Sequence, residues 1–149
     1  MVRVAILGYG GRGRIYAMIL RFLQKRKAKL VAVIDNNPDK LALAKRDTKT
    51  LDDGCLYSDY AEFLKKDKCA DWLFVCTQDS YHFTHTMAAL EKGYDVLLEK
   101  PVSADLAECA EIARKSQELG RKVAVCHVLR YSKFYDKVKE VIELSLIHI

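Results

Sequence analysis

Two hydrophobic rhythms alternate along the chain. Short, nearly unbroken apolar runs are separated by longer stretches in which apolar residues recur every three or four positions. The first rhythm suits strands buried on both faces, and the second suits helices laid against them. Residues 2–7 form such a run, broken by glycines at 8, 10, 11 and 13. This predicts a strand that turns sharply into a helix. Across residues 11–27, Ile15, Met18, Ile19, Phe22 and Leu23 keep helical spacing, which predicts one stripe facing a sheet. Residues 29–35 read as the next strand, and Pro38 opens a helix to about residue 46. A polar loop follows at 48–54. Ser58 or Asp59 then caps a helix carrying Tyr60, Phe63 and Leu64.

Residues 72–76, W-L-F-V-C, predict a central strand whose carboxyl end leads into T-Q-D-S-Y-H-F-T-H. Ser80 is read as the cap of a helix through residue 92, ended by Gly93. Strands at 94–98 and 122–126 flank a helix capped by Ser103 and stopped by Gly120. A last helix carries Phe134, Val138, Val141 and Ile142 on one face. The alternation predicts an α/β fold, a doubly wound parallel sheet of Rossmann type.

Composition narrows the class. The 149 residues suffice for one domain with its own core, and 50% hydrophobic with 30% charged residues is ordinary for a globular chain. No apolar run approaches the ~20 residues needed to span a bilayer, and the N-terminal run is too short for a signal peptide. A cytoplasmic setting is the default expectation. Five cysteines, an odd count without a C-x-x-C pair, read as reduced core residues. The net charge of +5 gathers around Arg12, Arg14, Arg21, Lys25, Arg26, Lys27 and Lys29. Without an aromatic platform or a DNA-reading motif this is read as a solvated helix face, with neither nucleic acid nor membrane as partner.

The glycine turn supplies the first chemistry. Its spacing G-x-G-x-x-G follows a strand and opens a helix, so unpaired backbone N–H groups and the helix dipole would face a pyrophosphate. Gly8 is assigned the tight turn, Gly10 the approach to phosphate and Gly13 the close packing of helix on strand. Asp35 lies 22 positions after Gly13 (35 − 13), at the end of the second strand. A carboxylate there can accept both adenosine-ribose hydroxyls and would repel a 2′-phosphate, favouring NAD over NADP. Its alternative role is to begin the turn D-N-N-P. His82 and His85 stand at i, i+3, but no third ligand is evident and no metal site is expected.

Five motifs taken in order give a closer likeness: G-Y-G-G-R-G at 8–13, Asp35, T-Q-D-S-Y-H at 77–82, A-L-E-K-G-Y-D-V-L-L-E-K-P at 89–101 and H-V-L-R-Y at 127–131. In these the chain resembles the N-terminal half of the glucose–fructose oxidoreductase, inositol dehydrogenase and rhizopine-catabolism (Gfo/Idh/MocA) family, over roughly residues 2–143. The resemblance implies that Gly8, Gly10, Gly11, Arg12 and Gly13 hold the pyrophosphate of NAD and that Asp35 holds the ribose. It implies that Thr77, Gln78, His82 and Glu99 lie along the nicotinamide half and that Lys100 is catalytic. An ammonium there can hydrogen-bond the reacting oxygen as a hydroxyl becomes a carbonyl.

The activity so implied is hydride transfer between nicotinamide and a polyol, sugar or similar hydroxylated substrate. The other readings are an NAD(H)-binding module without catalysis and an NAD-using lyase or glycosidase. Members of the family continue into a second, substrate-binding domain through which they dimerise. Residues 1–132 are therefore expected to be the dinucleotide domain. Residues 133–149, with an apolar tail, are expected to be the start of a truncated connection to that second domain, with homo-oligomers a feature of the full-length parent.

Overall fold

The computed structural model describes residues 1–24, 26–49 and 51–144. Its centre is a six-stranded sheet in the order β3-β2-β1-β4-β5-β6, with every neighbouring pair parallel. The strands are β1 (Val2–Leu7), β2 (Ala28–Ile34), β3 (Leu56–Tyr57), β4 (Trp72–Val75), β5 (Asp95–Leu98) and β6 (Val123–Val125). The helices between and after them are α1 (Gly11–Phe22), α2 (Pro38–Thr48), α3 (Tyr60–Lys65), α4 (His82–Glu91), α5 (Leu106–Glu118) and α6 (Lys133–Glu143). The chain steps from β1 outward to β3, then returns to the far side of β1 for β4. That reversal leaves a crevice at the carboxyl ends of β1 and β4, where open parallel sheets bind ligands.

Two buried clusters sandwich the sheet. One joins Val4, Ile6, Tyr9, Ala17, Leu20 and Ala44 beneath α1 and α2. The other joins Leu73, Val75, Leu90, Tyr94, Val96 and Ile112 beneath α4 and α5, with Phe63 of α3. The expected doubly wound sheet is thus present, and β3, two residues long, is the strand that hydrophobic runs were too short to announce.

The roll of α1 departs from expectation. Ile15, Met18, Ile19, Phe22 and Leu23, read as the stripe facing the sheet, are between 36% and 75% exposed. The buried side is Gly13, Ala17 and Leu20, with Tyr16 partly covered beside them. The cause lies in the turn. A Cβ on Gly13 would collide with the Gly8 carbonyl oxygen and sit 3.1 Å from the Ile6 side chain. The helix therefore packs backbone-close on β1 through its smallest residues, and its larger apolar side chains point away. α1 also ends at Phe22, short of residue 27.

Other boundaries shift for capping reasons. α4 begins at His82 after a one-turn 3-10 helix, Asp79–Tyr81, so Ser80 is not its cap. α5 is capped by Asp105, whose carboxylate accepts the Ala107 N–H at 2.7 Å, while Ser103 accepts the Asp105 N–H from outside the helix. Of the two candidates for α3, Asp59 is the cap and accepts the Glu62 N–H at 2.7 Å. The apolar face predicted for α6 exists, yet Phe134, Val138, Val141 and Ile142 are all exposed.

This arrangement predicts unequal glycines. Gly13→Ala should lower folding stability by ~1–3 kcal/mol or more through overpacking, because backbone cannot yield. Gly11→Ala, whose Cβ would meet nothing within 4 Å, should change stability by less than ~1 kcal/mol. Urea unfolding midpoints compare the two; equal losses would contradict the packing account.

Candidate functional site

The carboxyl edge of the sheet opens into a cleft of about 610 Å³. Gly8 and Gly10 line it from the β1–α1 turn, Asp35 from the end of β2, and Thr77 and Gln78 from the end of β4. Five of the expected positions therefore meet in one place.

The glycines there divide by what surrounds them. Gly8 has φ +91, and a Cβ on it would stand 2.7 Å from the Cys76 carbonyl oxygen, so both its conformation and its space demand glycine. Gly10 has φ −73, an ordinary value, and its Cβ would meet nothing within 4 Å. Protein packing does not require a glycine at position 10. An object in the cleft would.

α1 begins at Gly11 with Gly10 as its cap, so no side chain satisfies the first N–H groups, and its first turn carries no acidic residue. An uncapped helix start with bare glycine beside it fits an anionic diphosphate.

Asp35 does more than face the cleft. Its carboxylate accepts the Tyr9 N–H at 2.7 Å on one oxygen and the Asn37 N–H at 2.9 Å on the other. Asp35 thus builds the turn, and its carboxylate, with acceptor capacity beyond these two hydrogen bonds, also lines the cleft.

Arg12 does not line the cleft. Its guanidinium Nε lies 3.6 Å from Glu99 Oε1. Glu99 itself is only 5% exposed, directly after β5, its N–H bonded to the Val75 carbonyl at 3.0 Å. Its carboxylate also accepts a hydrogen bond from the Tyr16 hydroxyl, which lies 3.0 Å from the Cys126 sulfur. One buried carboxylate thus gathers α1, β5 and the end of β6. Burial, reinforced by hydrogen bonding to Cys126 and Glu99, pushes the Tyr16 phenol well up. Burial with the nearby Glu99 charge does the same to the Cys76 thiol, which leaves that cysteine a protonated core residue.

Arg14, grouped with Arg12 in the basic cluster, pairs instead with Asp47 of α2 at 2.6 Å.

His82 was expected in the nicotinamide half, yet it is fully buried behind the cleft wall. Its Nδ1 is 2.6 Å from the Pro101 carbonyl oxygen and its Nε2 is 3.1 Å from that of Thr77. The neighbour that does line the cleft is His85, with Tyr81 stacked on it at 5.4 Å and Thr77 Oγ1 3.1 Å from its Nδ1. The two histidines, three residues apart on α4, thus divide between the interior and the cleft wall. Lys100 is exposed at the tip of the β5 turn, its N–H donating to Glu99 Oε2 at 3.3 Å, and the Lys100–Pro101 peptide bond is cis. It does not line the cleft, and neither do Gly11 and Gly13.

Sequence reading missed Asn36, Asn37, Lys40, Ser58 and Tyr60, which complete the wall beyond β2 and β3. Their signal was position alone, just past strand ends.

The family profile for the oxidoreductase family with NAD-binding Rossmann fold matches residues 2–127. The chain belongs to the Gfo/Idh/MocA family. Among curated relatives, a 1-carboxy-3-chloro-3,4-dihydroxycyclohexa-1,5-diene dehydrogenase of Comamonas testosteroni is 28% identical over 92% of this chain and 34% of its own. An inositol 2-dehydrogenase of Rhodococcus jostii is 27% identical over 95% of this chain and 38% of its own. The chain thus spans little more than a third of the length of these family members. Among solved structures, the WlbA dehydrogenase of Bordetella pertussis superposes with a TM-score of 0.84 at 22% identity, over 96% of this chain and 42% of that one. At that identity the likeness speaks for the fold.

Burial, and secondarily the charge of His82, hold the pKa of His85 below its ordinary value. The unfolded chain then takes up a proton near pH ~6.5 that the folded site refuses until lower pH. The contribution of His85 to stability is complete above about pH 6.5 and falls as the pH drops below it. Unfolding midpoints of wild type and His85→Gln, compared at about pH 7 and about pH 5, should show the wild type losing more on acidification. A parallel loss in both would count against the buried, neutral ring.

Proposed function

We propose that this chain binds NAD along the carboxyl edge of its sheet and forms the nucleotide-binding part of an oxidoreductase acting on a polyol, sugar or similar hydroxylated substrate. The observation that carries the reading is Gly10. It is a glycine that the protein's own packing does not need, at a helix start without a side-chain cap, in a cleft that the Asp35 carboxylate also lines.

In this reading the N–H groups of the β1–α1 turn, with Gly8, Gly10, Gly11 and Gly13, receive the pyrophosphate. Asp35 accepts the adenosine-ribose hydroxyls through its free lone pairs and disfavours a 2′-phosphate. One relative, from Bacillus subtilis, is named as NADP(+)-dependent, so the preference for NAD rests on Asp35 and not on family membership. Thr77 and Gln78 flank the nicotinamide half. Arg12 and Glu99 act from behind it as an ion pair that joins the glycine turn to the Lys100 loop. Bound NAD supplies the hydride acceptor. As the neutral amine Lys100 would accept the hydroxyl proton of the substrate, and as the resulting ammonium it would return that proton in the reverse direction.

Two solved relatives support the ligand class by what they hold: the Bordetella enzyme with NADH and UDP-GlcNAcA, and a Lactobacillus casei scyllo-inositol dehydrogenase with NAD(H) and scyllo-inositol. Residues 1–132 form the nucleotide-binding unit in this reading, and the exposed apolar face of α6 supports the helix from Lys133 onward as a connection. A cytoplasmic setting is consistent with the finding that no helix among the described residues is long and apolar enough to cross a membrane.

A Streptomyces coelicolor relative named as a family 109 glycosyl hydrolase, 26% identical, favours a second reading in which oxidation is transient. Net NADH formation with substrate separates a dehydrogenase from it.

Titration calorimetry tests the central claim. Gly10→Val should leave folding stability within ~0.5 kcal/mol and weaken NAD binding at least about tenfold, a loss of ~1.4 kcal/mol. Absence of NAD binding in the wild type, or equal affinity in the variant, would remove it.

A further inference from the structure

The internal position of His82 carries information beyond its burial. Its two ring nitrogens each face a backbone carbonyl oxygen, that of Pro101 at 2.6 Å and that of Thr77 at 3.1 Å. A carbonyl has no hydrogen to give, so each contact needs an N–H on the ring. A neutral imidazole has one N–H, and the imidazolium has two. With no exposure, water cannot supply the missing donor. The neutral ring would leave one nitrogen lone pair directed at a carbonyl oxygen.

The two carbonyls belong to separate loops. Thr77 follows β4 and lines the cleft, while Pro101 follows Lys100 at the end of β5. Register along β4 and β5 ends with Val75 beside Leu98, and the Glu99 N–H just beyond bonds the Val75 carbonyl. The ring therefore bridges the two loops just beyond the Glu99–Val75 hydrogen bond. The backbone of the Lys100 turn is held on one side by the Glu99 N–H on Val75 and the Lys100 N–H on Glu99, and on the other by His82. Among the described residues the Lys100 side chain has no ion-pair partner, so its location follows from this backbone.

The geometry points to His82 as the positioning residue for Lys100: an internal imidazolium that donates to both Thr77 and Pro101 and fixes the Lys100 turn against the end of β4. The importance of Lys100 rests on the proposed function; the clamp itself does not. The titratable groups on the elements meeting at the ring are Cys76 beyond β4, Asp79 and Tyr81 in the turn before α4, His85 within α4, and Glu99 and Lys100 beyond β5. Glu99 is committed to Arg12 and Tyr16.

Nitrogen-15 spectra of the histidine rings in the 149-residue protein, recorded without cofactor, read the proposal directly. At about pH 7, where an unperturbed histidine is mostly neutral, both His82 nitrogens should carry the protonated signature. A pair consisting of one protonated and one bare nitrogen would overturn the clamp.

The amides of Gln78 and Val102, the N–H partners of the two acceptor peptides, and that of Lys100 report on the clamp. His82→Leu should displace the same three amides and leave those of the β1–α1 turn in place, and His82→Gln, which retains hydrogen-bond donors, should restore them in part. An unmoved Lys100 amide in His82→Leu, or no rescue by glutamine, would overturn the positioning role. Should the leucine variant fail to fold, the wild-type ring spectra and the glutamine variant still decide. Because no arm uses NAD, failure of cofactor binding leaves this result standing, and a neutral His82 with intact NAD binding sinks only the clamp.

Discussion

The rest of the molecule depends on how closely α1 approaches β1. Gly13 lies against the Gly8 carbonyl with no room for a Cβ, and Gly8 in turn lies against the backbone at Cys76. These two contacts lock the glycine turn between the first and fourth strands and fix the roll of the helix that leaves it. The roll directs Tyr16 and Arg12 toward Glu99, and it directs Ile15, Ile19 and Phe22 toward solvent. Hydrophobic burial alone would have rolled the helix the other way. Each of those large side chains, partly exposed, gives up a part of the ~1.5–3 kcal/mol that full burial would contribute. A backbone clash cannot be relieved by a side-chain rotation, so sterics decides.

That competition also explains what was legible in the sequence. Strands such as Val2–Leu7 and Trp72–Val75 announced themselves because a strand buried on both faces needs only a run of apolar residues, a one-dimensional property. The order of strands and helices then followed from connection rules. The roll of α1 was hidden because apolar periodicity measures which side of a helix prefers burial, not which side can reach the sheet. Glycine and alanine at 13 and 17 carried the answer, but they register as neutral in any hydrophobic count.

The site was legible to a similar depth. Positions next to strand ends, including Asp35, Thr77 and Gln78, were found by their place in the alternation and do line the cleft. Residues whose partners are distant in sequence were not. Glu99 meets Tyr16 across 83 positions, and Cys126 meets Tyr16 across 110. The type of residue could be read in each case, and the company it keeps could not. His82 fell between the two: its motif marked it as important, and only the fold shows that it lies inside the wall.

The glycine turn and the Lys100 loop are physically one unit. Glu99 accepts from Tyr16, pairs with Arg12 and receives the Lys100 N–H, so the carboxylate that anchors the first helix also begins the loop carrying the lysine. A 5%-exposed carboxylate stripped of these partners would be costly to keep charged, by several kcal/mol. The three contacts are therefore mutually conditional. An anion at the start of α1 would draw on the same guanidinium that Glu99 holds, at a separation of 3.6 Å that allows sharing without contact-tight pairing. In the proposed function, the anion end of the cleft and the loop carrying Lys100 would thereby share the Glu99 carboxylate as a common anchor.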